Sequence, residues 1–409
     1  MNQAEARKVP ETNVGSALAP TFRPSHRTKK SSLNLLCAFV LLLCGRLAAD
    51  EKMADGVYAE FTTPRGKFVV ELNCHEAPMT VASFVGLAEG SLAPRDGKPY
   101  YTGLKFYRVV PGFVIQSGDP EHEKNRDKDD PGTPYTFPDE FVPGLRHATA
   151  GVLSMANAGP DTNSCEFFLT LGDCTRLNYL HSVFGHVFTG LDVLAKIQPD
   201  DEFTIKILRI GTAGRAFQAD AATFKALVAR AKIYAGPKEP GPDAYFDDPS
   251  GLIPVDPPRA KNFNFKLANY ERTTGLKIKA RLFAKSPTEA EDKVPGAFMR
   301  ALAARIGADQ RGVAVAYFAD ENDWRMWISD DLVPAFLGRP ARTEDLADGG
   351  PLHQAKAALM EKAQADGDAA FVAQQKTAPA EQPPPPGQRI KLQTDAILDA
   401  LLIRLEKNR

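Results

Sequence analysis

Cysteine is scarce in this chain: five residues in 409, and no two of them form a CxxC. Without that spacing, zinc-ribbon and thioredoxin-like redox readings have nothing to rest on. A dominant charge is missing too. Lys and Arg total 50, Asp and Glu 51, and the net charge is -1. Electrostatic capture of nucleic acid or of an anionic membrane surface is therefore not indicated. No apolar run approaches the roughly 20 residues that span a bilayer. There is no internal repeat, no nucleophile elbow and no paired-histidine metal motif. The length suggests two or three domains.

The longest apolar stretch, "NLLCAFVLLLCGRLAAD", follows Lys29-Lys30 and runs from Leu35 to Cys44 before Arg46 interrupts it. A basic flank, a short apolar centre and small residues at Ala48-Ala49 read as a secretory leader over 1–49, with export to the periplasm or another extracytoplasmic space. Membrane association is expected only through an uncleaved leader. The mature chain would keep Cys74, Cys165 and Cys174, so it has room for at most one internal disulfide; free thiols are the expected state.

From Val57 to about Ile210 the texture is strand-rich. "VYAEFTTPRGKFVVEL" reads as two strands around a turn at Pro64-Arg65-Gly66. "APMTVASFVGLAEG" places Val81, Phe84, Val85 and Ala88 on one helical face, stopped at Gly90. Apolar runs at 106–115, 151–155, 167–171 and 183–188 predict further strands. A short helix fits 191–197 and a closing strand 202–210. Many strands with two short helices predict a mainly β domain over 54–212, a closed barrel with helical plugs. A helix at 220–232 and a Pro/Gly-rich linker fill 213–242. A separate α/β domain is expected over 243–409, with a helix ending at Gly275 and a buried strand at "GVAVAYFA". A proline-rich loop, "KTAPAEQPPPPGQ", and a final helix carrying Ile397, Leu401 and Leu405 complete it.

One arginine stands inside the apolar run "FYRVVPGFVIQSGDP". Alone, Arg108 admits a plain reading, a packed stem with its head in water or on a carboxylate. A second stretch, "GVLSMANAGPDTNSCEFFLTLGDCTRLNYLHSVFGHVFTGLDVLAKI", changes the balance. Both stretches resemble the cyclophilin family of peptidyl-prolyl cis-trans isomerases, over roughly residues 56–210. The resemblance implies an eight-stranded closed barrel with two capping helices and the substrate groove on its outer face, and a catalytic Arg108 assisted by Phe113 and Gln116. It implies a proline pocket of Phe113, Val114, Phe168, Leu177 and His181, with Ala156 and Asn157 positioning the peptide. Neither cofactor nor metal is implied, and the substrates would be proline-containing polypeptides. Three positions depart from the family pattern. Val114 replaces a usual methionine, so the pocket rim is expected to be shorter. Glu166 replaces a usual glutamine; it would either pair with Arg108 and compete with substrate, or favour substrates with a basic residue close to the proline. Arg176 replaces an aromatic or histidine at the groove edge, which predicts weak binding of cyclosporin-type ligands.

The residue types suit the chemistry. Amide rotation costs about 18–20 kcal/mol, and an X-Pro bond interconverts in tens to hundreds of seconds. Twisting the bond returns a lone pair to the prolyl nitrogen, and a guanidinium that never loses its charge can donate to it. Each position also has a structural reading: Phe113 and Phe168 as core aromatics, His181 as a satisfied histidine without acid-base duty, Gln116 and Asn157 as loop caps. The run "DPEHEKNRDKDDPGTP" resembles a metal site but reads as a solvated loop.

The second half resembles, more weakly, a TPM domain, through its element order and the E-x-x-T-G step at Glu271, Thr274 and Gly275. That resemblance implies calcium binding or phosphate-ester hydrolysis in some members, with Asp320, Asp323, Asp330 and Asp331 as oxygen donors; as ordinary turn carboxylates they need no ligand. The functional expectation is an isomerase that assists folding of exported proteins. The alternative is a weakly active or inactive proline-peptide binding module whose C-terminal domain carries the main role.

Overall fold

The structure, a computed structural model, describes residues 52–120, 134–254, 259–379 and 381–407. The leader and most of the charge run at 119–134 lie outside the described residues.

The first strands follow from the turn chemistry. β1 (Gly56–Thr63) and β2 (Gly66–Leu72) pair antiparallel with Thr63 opposite Gly66. Pro64 and Arg65 fill the two-residue loop, and Arg65 donates to Asp201 through Nε and a terminal nitrogen at 2.8 and 3.2 Å. The helix predicted after them is α1 (Pro78–Glu89), nearly all of it buried and started by Pro78 at its first turn. The apolar run at 106–115 is not one strand but two. β3 (Arg108–Val110) turns at Pro111-Gly112 into β4 (Val114–Ser117). Gly112 has φ 71°, which a type II turn demands after a proline, and Phe113 N–H closes the turn onto Val110 O at 3.0 Å.

β5 (Val152–Met155), β6 (Phe167–Thr170), β7 (Val183–Thr189) and β8 (Thr204–Ile210) complete an antiparallel sheet of order β3-β4-β6-β5-β7-β2-β1-β8. No ladder joins β3 to β8 among the described residues. The chain ahead of each edge strand meets the other through one bridge, Lys105 to Glu202, flanked by Phe106 N–H to Asp201 O at 3.0 Å. The inner face packs an aromatic cluster in which Phe61, Phe84, Phe167 and Phe203 touch edge-on or tilted. α2 (Leu191–Leu194), a single turn, adds Val193 and Leu194 to this core, and α3 (Gly211–Ala216) and α4 (Ala221–Val228) follow β8.

A separate C-terminal domain holds a four-stranded sheet of order β12-β11-β10-β9. Its strands are β9 (Phe246–Asp247), β10 (Lys277–Phe283), β11 (Gly312–Phe318) and β12 (Asp323–Ile328). β9, β10 and β11 run parallel and β12 antiparallel. β11 is buried at every residue, as its unbroken apolar run requires. α5 (Arg259–Thr274) supplies Phe263, Leu267 and Tyr270 to one core, and α6 (Ala297–Arg305) supplies Met299 and Leu302 to another.

α7 (Val333–Leu337) leads toward a long helical hairpin, α8 (Pro351–Thr377) and α9 (Gly387–Lys407). Arg389 reaches Asp368 and Gln388 reaches Gln374, so the two helices run antiparallel. Gly367 sits mid-helix because a Cβ there would stand 2.6 Å from the Cα of Gln393. Nothing in the sequence reading anticipated α8. Cys74, Cys165 and Cys174 are buried free thiols, the state expected from the sequence.

Candidate functional site: an arginine over an apolar wall

Strand register assembles the site. Arg108 lies opposite Gln116, Gln116 opposite Phe168, and Phe168 opposite Ser154. These residues therefore share one face of four neighbouring strands. Their odd-numbered neighbours Ile115, Leu169 and Leu153 point into the core and are fully buried. Alternation alone explains how an apolar run carries an arginine: its guanidinium emerges on the outer face, and Arg108 is exposed.

Arg108 donates to Gln116 Oε1 at 2.9 Å. Gln116 Nε2 in turn donates to Glu166 Oε1 at 3.4 Å, and Tyr107 O–H donates to the same oxygen. Burial, then the Glu166 carboxylate, raises the Tyr107 pKa, so the phenol stays a donor. Glu166 thus reaches Arg108 through Gln116 rather than directly, and the expected competition for the guanidinium is not the arrangement found. The carboxylate orients the Gln116 amide, leaving its oxygen for Arg108.

Phe113 is half-buried at the turn. The guanidinium carbons of Arg108 and Arg176 stand 5.7 and 4.3 Å from its ring centre. Arg176, on a 3₁₀ turn (Thr175–Leu177), therefore stacks where the family pattern has an aromatic. Val114 and Phe168 are buried, at 2% and 4% exposure, yet neither belongs to the core cluster; they build the outer apolar wall. His181 presents its edge to Phe168 at 5.4 Å, and His147 stacks on that ring at 5.8 Å. His181 Nδ1–H donates to Met155 O at 3.0 Å. Burial lowers the His181 pKa to about 4, so the ring is neutral and serves as wall. Leu177 is half-buried beside it, on the same 3₁₀ turn.

Ala156 and Asn157 follow β5 at the rim. Ala156 N–H bonds Glu166 O at 3.0 Å. Asn157 Nδ2 donates to Leu180 O at 2.8 Å, tying the rim to the loop that carries His181. The aspartates singled out in the second half do not converge: Asp320 accepts from Ser286, Asp323 from Arg325, and Asp331 from Arg311 N–H.

Two residues that the sequence reading passed over support this wall. His147 is fully buried, its Nδ1–H on Asn178 Oδ1 at 3.0 Å and its Nε2 2.9 Å from Ser154 Oγ. Tyr179 sits between Leu177 and His181 with φ 59°, an unusual backbone for an aromatic residue. Its ring belongs to the C-terminal core, edge-on to Tyr270 at 5.1 Å, while Asn269 Nδ2 donates to its carbonyl at 2.8 Å. Its hydroxyl donates to Glu406 of α9, which also takes Arg146 Nε at 3.0 Å. The partners of Tyr179 lie 90 and 227 residues away and those of His147 7 and 31 away, so only the folded chain reveals these roles.

Comparison with known proteins agrees with the motif reading. The family model "Cyclophilin type peptidyl-prolyl cis-trans isomerase/CLD" matches residues 58–212. "Peptidyl-prolyl cis-trans isomerase-like 1" of Aspergillus fumigatus is 38% identical over 158 residues, 36% of this chain and 91% of that protein. The isomerase ppi1 of Schizosaccharomyces pombe is 42% identical over 138 residues, 34% of this chain and 83% of its own length. A solved cyclophilin-type isomerase of Cryptosporidium parvum is 28% identical, covering 38% of this chain and 99% of its own, with a TM-score of 0.32. With an arginine, a glutamine and an apolar wall on one face of the matched region, the chain belongs to the cyclophilin-type peptidyl-prolyl cis-trans isomerase family.

Proposed function

We propose that this protein isomerises X-Pro bonds in exported polypeptides, with Arg108 donating to the prolyl nitrogen while the amide is twisted. The observation that carries the reading is an exposed guanidinium beside a half-buried Phe113, steered by Gln116 at 2.9 Å. A charge-assisted hydrogen bond contributes about 1.5–3 kcal/mol, or roughly 10–100-fold in rate. The remainder comes from the wall of Val114, Phe168, Leu177 and His181, which grips the proline ring and excludes water. Ala156 and Asn157 hold the flanking peptide at the rim. The bridge between the chain segments ahead of β3 and β8 supports closure of the sheet into a barrel, which stiffens the face on which Arg108 stands. The basic and apolar leader supports export, and sequencing the mature N-terminus is the direct check on cleavage after Ala49.

A protease-coupled assay on a short proline peptide tests the mechanism. Arg108→Ala is expected to lower kcat/KM by about 10–100-fold. Turnover within twofold of wild type would remove Arg108 from the reaction. Glu166→Gln is expected to lower turnover severalfold, because an amide at 166 no longer dictates how Gln116 faces Arg108. A rise would restore the competition reading. One observation favours a binding module with little turnover: Arg176 lies 4.3 Å over the ring that the proline would occupy. Tight peptide binding with no effect of Arg108→Ala on exchange is its signature.

A further inference from the structure

A groove of about 860 Å³ runs between α8 and α9 and ends on the 3₁₀ turn of the isomerase domain, where Asp173, Thr175 and Arg176 line it. Its walls are aliphatic: Ala355, Leu359 and Ala363 on α8, Leu392, Ala396 and Ile403 on α9. Several charged residues along it have partners within the protein, Lys362 and Asp366 each other. Lys362 pairs with Asp366 at 2.6 Å, Asp399 takes Lys266 at 2.7 Å, and Arg404 Nε donates to Phe336 O at 2.5 Å. What the groove offers a ligand is therefore apolar surface.

Continuity identifies the occupant. Arg176 belongs both to this groove and to the proline face, its guanidinium 4.3 Å from the Phe113 ring. Arg176 therefore links the Phe113 ring to the mouth of the groove. A polypeptide with its proline on Phe113 has its next residues at the mouth of the groove. The lining positions from Ala355 to Ala370 cover about 22 Å of helix at about 1.5 Å per residue, room for roughly six or seven extended residues.

We propose that the α8–α9 groove is a second polypeptide-binding site, which takes aliphatic side chains of the substrate segment flanking the proline. The proposal rests on the isomerase reading for its substrate, but groove binding is measurable without turnover. The groove turns a site for one X-Pro bond into one that prefers unfolded, apolar-flanked prolines, the state in which a folding client presents them.

The test uses the full chain and two 20-residue peptides with a central X-Pro bond, one flanked by Leu and Val, the other by Ser and Gly. A four-residue proline peptide is the control. Ala358 and Ala370 are exposed positions of the groove, so charges there leave the core intact. Ala358→Glu and Ala370→Glu are each expected to raise KM for the apolar-flanked peptide about tenfold, with the other two peptides unchanged. Equal effects on all three peptides, or none on any, would overturn the proposal. Fluorescence anisotropy with the apolar peptide, its proline replaced by alanine, reads the groove alone. Binding lost in Ala358→Glu and kept in Arg108→Ala supports the groove even where wild type turns nothing over, an outcome that overturns the isomerase reading instead. If sedimentation shows a dimer that Ala358→Glu dissociates while peptide binding persists, the groove is a self-interface and the proposal fails.

Discussion

His147 shows how a residue outside the peptide face supports it. Burial, reinforced by the neighbouring His181, lowers its pKa from 6.5 to about 3, so the folded protein holds it neutral against Phe168. The unfolded chain protonates near the ordinary value. The contribution of His147 to stability is thus complete above about pH 6.5 and drains away as the pH falls toward about 3. Between about pH 7.5 and pH 5, wild type is expected to lose about 2 kcal/mol more than His147→Gln, a difference that urea unfolding at both pH values measures. Equal losses would place the titrating group elsewhere. Comparing each protein with itself cancels the opposite trend from Asp139 and Asp399. Burial raises both to about 6, so their contributions are present at low pH and lost as the pH rises. Arg108, Gln116 and Phe168 were legible beforehand because they stand in the long motifs that resemble the cyclophilin family; His147 was not, because it lies outside those motifs and its burial appears only in the folded chain.

The loop 174–182 couples the two domains at the scale of elements. It carries Leu177 and His181 of the wall, yet Tyr179 in its middle is anchored to α5 and α9. An aromatic residue with φ 59° persists only where surroundings hold it. Tyr179→Phe removes one donor from the buried Glu406 carboxylate and loosens the loop. We expect KM for a short proline peptide to rise about three- to tenfold with kcat nearly unchanged, since Arg108 stands on another strand. A fall in kcat alone would argue that Tyr179 acts on the reacting face. The final helix was predictable from its apolar stripe; α8 was not. Its stripe of Leu352, Ala355, Leu359 and Ala363 rests largely on alanine, and Gly367 interrupts its helical pattern until Gln393 is seen beside it.

At the scale of the molecule, two cores meet through buried charges. Arg272 of α5 bonds Asp161 at 2.9 Å and approaches Asp139 at 3.4 Å, and Arg146 holds Glu406. Removing one partner from a buried pair costs about 3–5 kcal/mol. Wild type is therefore expected to melt in one calorimetric transition, and Arg146→Ala combined with Arg272→Ala in two. A single transition in the double variant would mean that the apolar contact around Tyr179 suffices to couple the cores.

The residues by themselves determined most of the strands, the outer face that carries Arg108 and the family, because strand period, turn chemistry and contiguous motifs are local. Only the tertiary structure decided that Gln116 stands between Arg108 and Glu166, that Tyr179 belongs to the second core, and that α8 and α9 leave a groove at Arg176. Those facts depend on side chains far apart in sequence, and only the packed chain brings them within a hydrogen bond of each other.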